Sequence, residues 1–174
     1  MKDALAIHRW LLAHQVHHEI VRLPRPITRA DELPGTLSAA PGRCVTVTVF
    51  EVAPRIGREF VVGVVHTLAT PPRPAAVSRL LGVRTVRVAP AHLVNEATDY
   101  AAGLVGPLLL PEDLPLFVDD RLDTDGEQVF SAVGERHAVL SMRALDLIGL
   151  LRGKTVDLRM PGDRESLEAV APGH

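Results

Sequence analysis

Two β-branched runs separated by one short turn constrain this chain more than any other feature. The first, Arg43 to Val52 (RCVTVTVFEV), alternates strictly. Val45, Val47 and Val49 share one face, and Cys44, Thr46 and Thr48 share the other. After a turn over Pro54 to Gly57, the second run extends from Glu59 to Leu68. Consecutive strands with so short a connection pair antiparallel, because a parallel pair needs a crossover of a dozen residues or more. A regular βαβ alternation is not visible, so a doubly wound nucleotide fold is not expected.

Shorter elements flank this hairpin. Asp3 can cap a first helix over Ala4 to His14, with Ala4, Ile7 and Leu11 in one stripe and Leu12 widening it. Glu19 to Leu23 reads as a strand stopped by Pro24 and Pro26. Thr28 with Asp31 resembles a capping box opening a short helix that Pro34 and Gly35 end. Ala75 to Leu81 is a short helix closed by Gly82, Thr85 to Val88 a short strand, and Pro90 to Thr98 a second helix with Pro90 in its first turn. Further strands are expected at Leu116 to Asp119, Gln128 to Val133 and Ala138 to Met142, and a last one at Thr155 to Leu158. Between them Arg143 to Leu151 forms a helix with Leu145, Ile148 and Leu151 inward. The expected fold is a mixed α/β (α+β) single domain over residues 1–158. Its sheet is mixed and largely antiparallel, or a partial barrel, with flanking helices. Residues 159–174 are expected to be a polar, fraying tail.

With 174 residues, 47% of them apolar, the chain can bury a substantial single core. The formal net charge of −2 supplies no global attraction to nucleic acid. Cys44 is the only cysteine, which excludes an intrachain disulfide and fits a reducing cytoplasm. The polar residues Asp3, His8, Arg9 and His14 interrupt the N-terminus, so neither a signal peptide nor a membrane span is expected.

Leu80 to Asp120 (LLGVRTVRVAPAHLVNEATDYAAGLVGPLLLPEDLPLFVDD) contains a G-x-x-x-P loop, Gly103 to Pro107, after a helix, a short strand and a second helix. Val133-Gly134 and HAVLSMRALDLIGLL follow as a glycine turn, a strand and a closing helix. In this order the elements resemble the YbaK/ProX aminoacyl-tRNA deacylase family, the editing domains associated with prolyl-tRNA synthetase, over roughly Ala4 to Leu151. The resemblance implies a YbaK/ProX-like fold. It also implies a pocket for the aminoacyl (acceptor) end of tRNA, and hydrolysis of a mischarged ester in trans by a free-standing protein. No cofactor or metal is implied. Gly103, Gly106 and Pro107 would form the catalytic loop, its backbone polarising the ester carbonyl. Thr98, Tyr100 and Gly134 would border the pocket.

One expected group is missing. The family carries a lysine near the start of the first long strand, where this chain has Val45. Its only lysines, Lys2 and Lys154, lie far away in sequence, against 17 arginines. Losing a preorganised cation of this kind costs about 2.7–4 kcal/mol of transition-state stabilisation. Arg43, His66, Arg136 or His137 can reach in from neighbouring positions. His66, near the end of the second long strand, and His137, after the glycine turn, are candidate general bases near neutral pH. The alternative is a non-catalytic descendant that binds a small ligand, a tRNA end or a protein in the same pocket. It predicts Val45 sealed among apolar neighbours.

Other signals carry less. His8, His14, His17 and His18 match no standard zinc spacing. Asp119 and Asp120 are either paired carboxylates or a strand-end turn. Arg79, Arg84 and Arg87 are either phosphate contacts or a solvated face. Cys44 lacks an evident activating base. Oligomeric state is not legible.

Overall fold

A computed structural model describes residues 1–122 and 127–162. Among these residues eight strands form one sheet in the order β1-β7-β6-β2-β3-β5-β8, with β4 attached to β2 outside that path. The strands are β1 (Glu19–Arg22), β2 (Cys44–Ala53), β3 (Phe60–Thr67), β4 (Thr85–Val88), β5 (Leu116–Asp119), β6 (Gln128–Ala132), β7 (Ala138–Arg143) and β8 (Lys154–Val156). The helices are α1 (Ala4–Ala13), α2 (Leu33–Leu37), α3 (Pro74–Leu81), α4 (Ala91–Thr98) and α5 (Ala144–Leu150). The β1·β7, β2·β3, β2·β4 and β6·β7 ladders are antiparallel, and β2·β6, β3·β5 and β5·β8 are parallel. The expected mixed, largely antiparallel sheet is therefore present in a single domain.

The strict alternation of β2 places its two faces as its sequence requires. Val45, Val47 and Val49 join the main core beneath α1, with Ile7, Leu11 and Tyr100. Phe50 and Val52 lie on the opposite face with Ala76 and Val77 of α3. Cys44 packs with Leu33, Leu104 and Val139, and burial pushes its thiol up to about 11, so it is an inert core residue.

Four local expectations need correction. Pro34 and Gly35 do not end a helix; they lie inside α2, with Pro34 in its first turn, where its missing N–H costs nothing. The carboxylate that caps this region belongs to Glu32 rather than Asp31. It accepts the backbone N–H groups of Thr28 (2.7 Å) and Arg29 (2.8 Å), which hold its pKa below the ordinary carboxylate value. In α5 the buried stripe is Ala144 and Leu147, and Leu145 is 50% exposed, because Arg143 still belongs to β7 and the helix starts one residue later. Leu12 of α1 is likewise exposed, leaving Ile7 and Leu11 to fill the core. Of the expected tail, residues 163–174 lie outside the described residues.

Candidate functional site

Strand β2 is the hub of the site because its two edges are used differently. One edge is covered along Val45 to Val52 by β3. The other is shared: Cys44 and Val45 pair with Phe130 and Ser131 of β6, while Phe50 to Ala53 pair with β4. Thr46 to Val49 fall between these two partners and pair with neither. Within this interval the Ala89 N–H reaches the Val49 carbonyl at 2.9 Å. A groove of about 510 Å³ occupies the gap. Thr46, Val47, Thr48 and Val49 form one wall, and Val88, Ala89, Ala91 and Val94 line it where β4 runs into α4. Gly103, Val105 and Arg29 close the third side.

The Gly103–Pro107 loop is held there by its own packing. Gly103 has φ +87° and its carbonyl accepts the Ala30 N–H at 2.8 Å. Glycine is required, since a Cβ would stand 2.8 Å from the Thr28 carbonyl oxygen. Gly106 lies against the Ala132 carbonyl at the end of β6, where a side chain would overlap it. Gly134 donates its N–H to the Leu104 carbonyl at 3.0 Å. Tyr100 packs beneath, and its hydroxyl donates to the Leu108 carbonyl. The result presents Gly103 to solvent and Val105 to the groove, and buries Gly106 and Pro107.

The polar part of the groove wall is built around His66, which is 2% exposed. Its Nδ1 lies 2.7 Å from the Thr67 carbonyl and its Nε2 lies 2.7 Å from Thr48 Oγ1. Burial lowers the imidazole pKa below its ordinary value, so His66 is neutral at pH 7. The Thr67 carbonyl and the Asp119 carboxylate partly oppose that shift, and Arg121 adds to it. Asp119 and Arg121 are themselves a bidentate ion pair, with Arg121 Nη2 2.7 Å from Asp119 Oδ2. Arg29 supplies a cation at the groove mouth; its side chain is 72% exposed and pairs with Asp31 at 3.0 Å.

The sequence profile of the aminoacyl-tRNA editing domain matches residues 25–150. The chain belongs to the aminoacyl-tRNA editing domain family. Membership carries an aminoacyl-tRNA editing role, and the matched stretch spans every wall of the groove. Solved structures agree with this editing fold. The hypothetical protein APE2540 superposes with a TM-score of 0.71 at 23% identity, over 87% of this chain and 97% of its own. A protein proposed as a trans-editing enzyme for prolyl tRNA synthetase gives 0.71 at 24% identity, over 90% and 96%. A signal transduction protein proposed in Marinobacter aquaeolei gives 0.57 at 17%, over 87% of this chain but only 30% of its own. At these identities the likeness shows fold alone. A search of curated proteins gave no significant match.

The sequence-predicted residues of the editing domain separate into three groups. Gly103 and His66 both line the groove. Thr98, Tyr100, Gly106, Pro107 and Gly134 shape the loop from within. Thr98 and Tyr100 are fully buried, with Thr98 Oγ1 bonded to the Val94 carbonyl at 2.7 Å and accepting from the Tyr100 N–H at 3.2 Å. Burial pushes the Tyr100 phenol far above its ordinary value, so it stays protonated. His137 stands apart. It is exposed on the β6–β7 turn, where its carbonyl accepts the Leu23 N–H at 2.8 Å.

Val45, the residue expected from the resemblance to stand where the family carries its lysine, is 1% exposed and sealed in the main core. Arg43, one of the residues expected to reach in, is engaged elsewhere. It bonds the Gln128 carbonyl at 2.8 Å and lies over Phe130. Arg136 is exposed on the same turn as His137. Arg29, Asp31 and Thr48 were not among the site residues expected from the sequence. Only the threonine had a local signal, its parity with Thr46 on β2. Among the described residues no group of three metal-ligating side chains is assembled. His8 and His18 bond each other at 2.8 Å without a third ligand. Among the same residues no helix is long and apolar enough to cross a membrane.

Proposed function

We propose that this editing domain binds the aminoacylated acceptor end of tRNA in the β2 groove and hydrolyses a mischarged ester in trans, releasing amino acid and tRNA. The observation that carries this reading is the convergence of Gly103 and the Thr48–His66 pair on one groove. The Gly103 N–H donates to no protein group among the described residues and is available to an ester carbonyl oxygen. Val47, Val49, Val94 and Val105 suit a small apolar aminoacyl side chain. Arg29 at the mouth suits a phosphate. The protein then acts mainly by positioning the ester for attack by water.

One observation favours a second reading. Val45 is sealed, and no lysine enters the groove, as a non-catalytic binder of an acceptor end would show. Deacylation of a panel of mischarged tRNAs, led by Ala-tRNAPro and Cys-tRNAPro, separates the two. Ala91→Arg at the exposed groove lip serves as a folded control. Turnover lost in Ala91→Arg supports editing; no turnover by the unaltered protein, with the panel still bound, supports the binder.

A further inference from the structure

We propose that Thr48 and His66 form a proton relay that activates the attacking water, an inference that rests on the ester hydrolysis proposed above. The hydrogen bonds define its direction. A carbonyl oxygen only accepts, so the 2.7 Å contact with Thr67 places a hydrogen on His66 Nδ1. Nε2 then carries the lone pair, and the Thr48 hydroxyl 2.7 Å away donates its hydrogen to it. With that hydrogen committed, Thr48 Oγ1 can only accept from whatever occupies the groove. Water and a ribose hydroxyl both meet that requirement.

The surroundings fit this task better than a packing role. On the same face of β3, Val62 and Val64 are fully buried aliphatics. An aliphatic at position 66 would complete that row without the cost of burying an imidazole. Instead the single basic nitrogen there is connected to the groove through a half-buried hydroxyl. The charged groups near the imidazole are Asp119, which favours its protonation, and Arg121, which opposes it.

In the reaction, water gives a proton to Thr48 Oγ1 as Thr48 passes its own to His66 Nε2. The hydroxide oxygen bonds the ester carbonyl carbon, and the C=O π pair moves onto oxygen. When the tetrahedral species collapses, the bond to the ribose oxygen breaks. That oxygen takes the proton back from the imidazolium through Thr48. One water is consumed, and the relay ends as it began. Thr48 is the catalytic residue; His66 acts through it as a positioning and proton-holding residue.

The test is single-turnover deacylation of the panel tRNAs from pH 5 to 9 by the unaltered protein and by Thr48→Val, Thr48→Ser and His66→Gln, each checked for folding by circular dichroism. Removing general-base assistance is expected to slow Thr48→Val about 10²–10⁴-fold, with Thr48→Ser recovering most of the loss. The rate of the unaltered protein is expected to fall in acid as His66 protonates, and that acidic limb should vanish in His66→Gln. Imidazole ¹⁵N shifts should report hydrogen on Nδ1 whether or not Thr48→Val folds. Unchanged turnover in Thr48→Val, an acidic limb retained in His66→Gln, or hydrogen on Nε2 would each overturn the relay while leaving editing intact. No turnover by the unaltered protein would overturn both.

Discussion

Gly103 and Thr28 stand so close that a methyl group on the glycine would lie 2.8 Å from the Thr28 carbonyl oxygen. The same glycine has φ +87°, and its carbonyl holds the Ala30 N–H. Gly103→Ala therefore combines left-handed strain with backbone overlap, and is expected to cost about 2–4 kcal/mol. Urea melts of the two proteins measure it. The consequence for function is that Gly103→Ala should lose turnover partly through displacement of the loop from Arg29, so it is a poor isolated probe of carbonyl polarisation.

Placing a lysine at position 45, where the resemblance leads one to expect it, is predicted to fail. Val45 is 1% exposed within the main core, and Val45→Lys would bury an ammonium without a partner. The expected loss is roughly 3 kcal/mol or more, with no gain in deacylation. A stable Val45→Lys protein with faster turnover would show that the position opens to the groove.

Tyr100 has a structural task that its place beside the loop does not reveal. Tyr100→Phe removes the hydrogen bond to the Leu108 carbonyl and is expected to cost about 1–3 kcal/mol, because a buried acceptor is left unpaired. Affinity for an aminoacylated acceptor-stem oligonucleotide should be unchanged at temperatures where the variant is folded.

The pH dependence of stability follows from His66. Its folded pKa is held below the ordinary 6.5, so between the two values the unfolded chain binds more protons than the folded protein. Stability from this group is complete above pH 6.5 and is lost as pH falls below it, down to the folded value. Denaturant melts across pH 5 to 8 should show that loss, and His66→Gln should remove it.

The ion pair beneath His66 offers a separate check. The Asp119 side chain is fully buried and Arg121 is its bidentate partner. Arg121→Leu removes the guanidinium and leaves that buried carboxylate the backbone N–H of residue 121, 3.0 Å away, and is expected to cost about 3–5 kcal/mol. It also removes the charge that opposes His66 protonation, so the His66 pKa should rise, which NMR titration reads directly.

Sequence alone determined the strands, the two faces of β2 and the glycine loop. Each rests on local physics: alternation dictates which side chains share a face, and glycine marks where the backbone needs positive φ or close approach. It also put Val45 on one apolar face with Val47 and Val49, and the fold buries that face in the main core. Leu145 was misread because one residue of strand continuation turns a short helix by about 100°. The groove itself was decided by tertiary structure. It exists because β6 and β4 take opposite ends of one β2 edge and leave Thr46 to Val49 between them. Such pairing depends on backbone hydrogen bonds between distant segments, which no side-chain pattern encodes. For the same reason the sequence could not place Thr48 against His66, or Arg29 beside Gly103.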